Sequence, residues 1–363
     1  MSKNHKLDLT MPLEICKANY NTRKSLILPL ISHLPASTMV LNKLLVSDDT
    51  EVFTIMTKNE NENNNNIEKL EVICKAICIL DSRAGTHLDV SYYNLGNRDD
   101  EFESNNLLVD FLINERSDNY LVFSGLNERY VERLCNAFNL IDVLRIENSH
   151  NKIFKKLWEN PCYLYVNEAQ SPSYLYQDIV IDTNQYHIHE LTQEDAILVN
   201  EMWTFKSQNS LNMVQKLIAS RPSIGVYSND NELVSWVLSY EYHALGLQHT
   251  LEGHRRRGLA KACVQALLNQ IAVPVIIPTA TTGTNNSKSH NNVTATSNAT
   301  TTTNDNYQKH IDDSWRYVGS LCCSPRPFCY IVKGNQASKN LYSNLGFRSD
   351  ENKLHYWLGF QRQ

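Results

Sequence analysis

The stretch Thr250-Leu-Glu-Gly-His-Arg-Arg-Arg-Gly-Leu-Ala-Lys261 decides how the chain is read. It joins a strand-like segment, Ala244–Thr250, to an apolar-faced segment running from Gly258 to about Ile271, so it is a strand-to-helix turn. Gly258 permits a tight backbone turn and Ala260 is small enough for close approach. The first N–H groups of a helix have no internal partner, and the helix dipole gives them partial positive charge. Arg255, Arg256 and Arg257 add three full charges. The run Arg255-x-x-Gly258-Leu259-Ala260 thus has the make-up of a pyrophosphate-binding loop. The competing reading is a strand–helix turn with a solvated basic face.

A second motif lies further along the chain. Asn335-Gln-Ala-Ser-Lys-Asn-Leu-Tyr342-Ser-Asn-Leu-Gly-Phe347 follows the strand-like Phe328–Val332. Asn335 is placed to cap a helix whose buried stripe is Ala337, Leu341 and Leu345, and Gly346 is placed to end it. Tyr342 sits beside that stripe, where it is either a core tyrosine or a hydroxyl aimed at a site above the sheet.

Working outward, the second half reads as the order βααβββαβαβ, which implies a mixed α/β sheet with helices on both faces. Its elements are Tyr186–Leu191, a helix through Trp203, Leu211–Ser220, Ser223–Tyr227, Leu233–Tyr242, Ala244–Thr250, Gly258–Ile271, Phe328–Val332, Gln336–Leu345 and Leu354–Phe360. The first half has a weaker α/β rhythm. Tyr120–Phe123 reads as a strand, Gly125 as a turn, and Asn127 as the cap of a helix carrying Tyr130, Val131, Leu134, Ala137 and Phe138. Ile153–Trp158 reads as the end of an amphipathic helix and Cys162–Val166 as a strand. The segment 167–178, with Ser171-Pro172-Ser173, is the expected linker between an N-terminal α/β domain (1–175) and a C-terminal domain (179–363). Within Thr279–Asn306, 17 of 28 residues are Thr or Asn, so an insert at about 277–306 is expected to be disordered.

The two motifs, in this order and on this strand–helix frame, resemble the GNAT acyltransferase superfamily. Ala196–Trp203, Ser235-Trp236, the run from Thr250-Leu251 through Arg255, and the start Leu34-Pro35-Ala36-Ser37 narrow the resemblance to the glycine N-acyltransferase family. The similarity is good over 180–271 and 327–347, thin over 1–170 and absent over 277–326. It implies a GNAT-type fold in the C-terminal half, beside a smaller N-terminal domain of the glycine N-acyltransferase type. It also implies acyl-CoA as co-substrate, with Arg255, Arg256, Arg257, Gly258, Leu259, Ala260 and Asn335 holding coenzyme A and Tyr342 presented to the sulfur. In such proteins the strands corresponding to Ala244–Thr250 and Phe328–Val332 splay apart, the pantetheine arm lies in the gap, and a backbone N–H there polarises the thioester oxygen.

One element of the family pattern is missing. Counted back without gaps from Arg255, the family's glutamate base falls on Ala244. By strict alternation Ala244, Gly246 and Gln248 share one face, while His243 and His249 fall with Leu245 and Leu247 on the other. Glu241, His243 and His249 are the nearest substitutes, and proton removal is expected to be weak.

Composition excludes other classes. The chain has 363 residues, 42% hydrophobic, with a formal charge of -5. A disordered chain is excluded, and nothing marks a nucleic-acid-binding surface. Nine cysteines at irregular spacing suit neither zinc ribbons nor disulfides, and Cys74 and Cys78, which could share a helix face, are best read as buried thiols. No window has the ~18 apolar residues of a membrane span, and no signal peptide is evident, so a soluble intracellular protein is expected. His187 and His189 share a strand face without a third ligand, so no metal is expected. The expected partners are therefore acyl-CoA and glycine or a similar small amino acid. The rival readings are an N-acetyltransferase of a protein or polyamine amine, and a coenzyme A-binding pseudoenzyme. The resemblance suggests the mitochondrion, with the cytoplasm left open; oligomeric state is not legible.

Overall fold

A computed structural model describes residues 13–46, 50–57, 74–82, 87–96, 98–116, 118–146, 154–167, 179–207, 210–240, 242–271 and 327–362. The expected linker at 168–178 and the Thr/Asn-rich insert lie outside the described residues. So does Glu241.

The first half begins with β1 (Leu13–Lys17), three short helices α1 (Tyr20–Ser25), α2 (Ile27–Ser32) and α3 (Thr38–Val46), and then β2 (Glu51–Thr57), β3 (Cys74–Asp81) and β4 (Leu88–Asn94). It continues through α4 (Arg98–Asn114), β5 (Tyr120–Asn127), α5 (Glu128–Ile146) and β6 (Phe154–Asn167). The second half runs β7 (Tyr186–Glu190), α6 (Ala196–Met202), α7 (Ser210–Ser220), β8 (Ser223–Ser228), β9 (Leu233–Ser239) and β10 (Leu245–Thr250). After a 3-10 turn at Glu252–His254 come α8 (Leu259–Ile271), β11 (Phe328–Val332), α9 (Gln336–Asn344), β12 (Phe347–Arg348) and β13 (His355–Arg362). The second-half order expected from the sequence is present, with the two-residue β12 added before the last strand.

These strands form two sheets. One is four-stranded and antiparallel, in the order β10-β9-β8-β7. The other runs β1-β2-β3-β4-β5-β13-β6-β11, with β12 also on β6, and only its β4–β5 pair is parallel. The middle of this sheet is a reciprocal exchange. The last strand of the second half, β13, pairs with β5, whereas the last strand of the first half, β6, pairs with β11. β13 and β6 then pair with each other over Arg362–His355 against Phe154–Cys162.

Apolar spacing explains what covers the larger sheet. Leu108, Val109 and Leu112 of α4 and Tyr130, Leu134, Ala137 and Phe138 of α5 recur at helical intervals. They pack on Leu88, Val90, Phe123, Leu358 and Phe360. Phe138 stacks on Phe360 with centroids 4.4 Å apart, an aromatic contact worth about 0.5–1.5 kcal/mol beyond its buried area. Asn127 caps α5 as expected, accepting from the Arg129 N–H at 3.2 Å.

Three expectations are corrected. Of the expected helix end Ile153–Trp158, the described part, Phe154–Trp158, is not helical but the start of the 14-residue β6, because β13 supplies a hydrogen-bonded partner along that length. Gly125 is no turn but a left-handed residue (φ 63°) within β5, where the Tyr330 ring leaves no room for a Cβ and His355 bonds its carbonyl. Cys74 and Cys78 lie on strand β3 rather than on a helix face, and both are buried as expected.

Candidate active site

The edges of the two sheets meet at one point. Ala244, just before β10, forms a parallel bridge with Phe328, the first residue of β11. No further ladder joins β10 to β11, so the two strands part beyond that vertex. The expected splay is therefore present, with its closed end at Ala244–Phe328 and its open end toward Thr250 and Val332. On the open side, β10 runs through the 3-10 turn into the arginine loop.

That loop is built from unusual backbone. Arg256 has φ 63° and Gly258 φ 78°, and a Cβ placed on Gly258 would meet nothing within 4 Å. Gly258 opens α8, its carbonyl accepting from the Ala262 N–H at 3.0 Å. The three arginines divide their work. Arg255 Nε donates to the Thr250 carbonyl at 3.1 Å. Arg257 donates to the Tyr186 hydroxyl at 2.7 Å and to Gln185 Oε1 at 3.2 Å, which ties the loop to β7. Arg256 makes no side-chain bond to a described residue and is exposed. Leu259 is a core residue, 2% exposed, so it can offer a ligand only its backbone N–H. Exposed guanidiniums, an open helix start and free space at a left-handed glycine together fit a diphosphate. Asn335 caps α9, its Oδ1 accepting from the Ser338 N–H at 3.1 Å, which leaves only its amide NH2 for a ligand.

Tyr342 projects from α9 into the core beneath the splay, 3% exposed, with its ring T-shaped against Phe347 at 5.1 Å. Its neighbours in that cluster include Cys263 of α8 and Cys329 and Ile331 of β11. Burial, with smaller contributions from Cys329 and Cys263, holds its hydroxyl well above the ordinary tyrosine value, so it stays protonated.

The strand parity expected for β10 is overturned by a bulge. Gly246 pairs with Leu238 and His249 with Trp236, so three steps on β10 match two on β9. Leu247 and Gln248 take no ladder partner, and Leu247 has φ 50°. An extra residue reverses the facing of everything after it. His249 thus shares the face of Gly246, Trp236 and Leu238, and the last two pack on α6 and α7 through Ala196, Val199, Val214 and Leu217. Leu245 faces the other way, onto Leu259, Cys263 and Phe347.

His249 lies over Trp236, centroids 5.2 Å apart. Its Nε2 is enclosed and makes no hydrogen bond. Burial, then the Arg255 charge, lowers its pKa, so the imidazole is neutral at pH 7. Ala244 lies in an apolar cluster with Met39, Leu164, Tyr242 and Phe328. A glutamate there would bury a carboxylate in apolar surroundings. His243 faces the interior at φ 60°, 5% exposed, and its pKa is depressed to about 4 by burial and by Arg221.

The first half also contributes, which the sequence reading missed. Asn42 Nδ2 donates to the Tyr242 carbonyl at 3.0 Å, and Lys43 Nζ lies 4.8 Å from the Tyr242 ring centroid. Lys43 has no exposed side-chain surface; it bonds Ser91 Oγ at 2.8 Å and lies 3.4 Å from Asp89 Oδ2. The recognisable signal is a basic residue on the apolar helix Thr38–Val46. His187 stacks on Tyr227 and meets His189 edge-on, and no group of three or more metal-ligating side chains occurs among the described residues.

Comparison with known proteins agrees with this frame. The model of the FR47-like protein family matches residues 223–292, a span holding β8, β9, β10 and the arginine loop. A solved Drosophila protein is 14% identical, with 95% of this chain and 97% of that chain covered and a TM-score of 0.57. A tandem GNAT protein from the clavulanic acid biosynthesis pathway is 10% identical over 95% and 98%, with a TM-score of 0.49. A GCN5-related N-acetyltransferase from Sphaerobacter thermophilus is 12% identical over 97% and 95%, with a TM-score of 0.43. No curated protein matches the chain. The fold is mixed α/β, and GNAT proteins are among the solved structures to which it is similar.

Proposed function

We propose that the chain is an acyl-CoA-dependent N-acyltransferase whose acceptor is a small primary amine, glycine or a similarly small amino acid. The observation that carries the reading is the splay of β10 from β11 with the left-handed, arginine-rich loop at its open end. That arrangement offers one site for a diphosphate and one unpaired cleft for an extended arm leading away from it. The acceptor assignment is supported by the resemblance over Ala196–Trp203 and Thr250–Arg255 and by the aromatic enclosure of His249.

In this reading the bulge amides at Leu247 and Gln248, free of the ladder, hydrogen-bond the thioester oxygen as it gains charge. The amine nitrogen attacks the carbonyl carbon from the His249 face. As the C–N bond forms, the nitrogen becomes acidic and the neutral His249 imidazole accepts its proton. The C–S bond then breaks, giving the amide and the coenzyme A thiolate. A thiol titrates near ~8.5, so it is more acidic than the buried Tyr342 phenol. Tyr342 therefore stabilises the leaving sulfur by donating a hydrogen bond rather than by surrendering its proton.

The test is release of coenzyme A thiol with a panel of acyl-CoA donors and amines. Turnover with glycine or another small amino acid supports the reading. Turnover only with peptide or polyamine acceptors replaces it by the corresponding acetyltransferase, and binding without turnover marks a pseudoenzyme.

A further inference from the structure

We propose that Ser235 is a positioning residue for His249: its hydroxyl locks the register in which β10 resumes pairing after its bulge, and that register presents the imidazole on the face from which the amine attacks. The proposal rests on the acyltransferase reading above, in which His249 takes the proton of the amine, and adds the residue that puts it there.

A bulged ladder has an unbulged rival one residue away. Were β10 to run on evenly from the Gly246–Leu238 pair, Gln248 would stand opposite Trp236 and His249 opposite Ser235. The imidazole would then point at the face that Leu259, Cys263 and Leu267 of α8 fill, none of them more than 2% exposed. Backbone pairing favours that rival, because the observed register leaves Leu247 and Gln248 without ladder partners and holds Leu247 at φ 50°. A side-chain interaction made only in the bulged register has to offset this.

Ser235 supplies it. Wholly buried on β9, it stands directly opposite Thr250. Its Oγ donates to the His249 carbonyl at 3.1 Å and lies 2.7 Å from Thr250 Oγ1. The single serine proton is used on the carbonyl, so the threonine hydroxyl donates to Ser235. Cys263 Sγ, on α8, donates to the same oxygen at 3.6 Å, and burial pushes that thiol up to about 12, so it keeps its proton. The one donor and two acceptor positions of the serine hydroxyl are thus all taken. In the even register Thr250 would move opposite Val234, and the buried serine would lose its threonine donor. The next residue, Trp236, seats the imidazole at 5.2 Å between centroids. Two consecutive residues of β9 thereby hold the carbonyl and the ring of His249.

The experiment uses the full chain and compares wild type with Ser235→Ala, Thr250→Val, Thr250→Ser, His249→Gln and the combined Ser235→Ala, His249→Gln variant. It reads kcat, acyl-CoA binding by titration, and the His249 imidazole C–H resonance, which is assigned by its loss in His249→Gln and displaced upfield by the Trp236 ring. Ser235→Ala and Thr250→Val should move that resonance toward its ordinary position. They should also lower kcat toward the loss of about 10²–10⁴-fold expected for His249→Gln. Acyl-CoA binding should change little, because Arg257 ties the loop to β7. Thr250→Ser keeps the hydroxyl and should leave both kcat and the resonance near wild type. The combined variant should be no slower than His249→Gln alone, since a positioning residue acts only through its base. Losses that multiply in the combined variant, or an unmoved resonance in folded Ser235→Ala and Thr250→Val, overturn the proposal. Thr250→Val carries the test if the alanine variant does not fold. A wild type that turns over no acyl-CoA overturns the acyltransferase reading, and the resonance then decides the lock by itself.

Discussion

The His249 imidazole lies 5.2 Å from the Trp236 ring, inclined at 30°, with Nε2 enclosed and unpartnered. Only the bulge between Gly246 and His249 makes this pairing possible. Replacing His249 with Gln should lower kcat by about 10²–10⁴-fold, as for loss of a positioned base, and leave coenzyme A affinity unchanged. Burial and Arg255 lower the pKa, so wild-type kcat should hold at pH 7 and fall only as pH drops below the ordinary histidine range. Arg255→Ala, assayed at saturating donor, should move that acid limb upward. A steady-state pH profile of the three proteins decides it.

His243 makes a separate prediction about stability. Its pKa is about 4 in the fold and ~6.5 unfolded, so the unfolded chain takes up the proton first as pH falls. The sign is therefore destabilising in acid: stability is full above pH ~6.5 and declines progressively toward pH 4, by on the order of 3 kcal/mol. His243→Asn tolerates the left-handed backbone and cannot titrate. Its deficit relative to wild type in urea unfolding should shrink between pH 7 and pH 5; a constant deficit would refute the linkage.

Lys43 and Asp89 should behave as a buried pair. Lys43→Met keeps the stem but strands a carboxylate, and breaking such a pair costs about 3–5 kcal/mol. Adding Asp89→Asn should recover much of that loss. Thermal melting of the single and double variants checks it, and an additive result would show that the two residues do not interact.

The arginine loop should depend on Gly258 more than on any one of its arginines. A valine at φ 78° forces a β-branched residue into left-handed backbone and fills the open space before the helix. Arg255→Ala removes one of three neighbouring charges. Isothermal titration should show a larger affinity loss for Gly258→Val; equal, small losses would mean the loop does not hold the diphosphate.

Much of this was legible in the sequence, and the failures share a cause. The second-half strands and helices, the Asn335 cap and the loop glycine follow from local periodicity and turn chemistry, which neighbours in sequence suffice to determine. Lys155-Lys-Leu-Trp158 looked helical because its charges and apolar residues suit a helix face, yet β13 drew it into a strand from some two hundred residues away. His249 was assigned the wrong face because alternation assumes an unbroken ladder, and an inserted residue reverses it. Lys43 went unnoticed because its partners Asp89 and Tyr242 come from β4 and the end of β9's loop. Contacts distant along the chain decided each miss.

The strand exchange has a bearing on how the chain matures. His355 of β13 bonds the Gly125 carbonyl across 230 residues. At translation speeds of about 5–20 residues per second, β5 waits roughly 10–50 s on the ribosome for its neighbour. Throughout that interval the first half has an open edge where β13 belongs, and its nascent sheet can be completed only after β13 has cleared the exit tunnel. A chain stalled anywhere before Leu354 is thereby a client for chaperones rather than a half-working product.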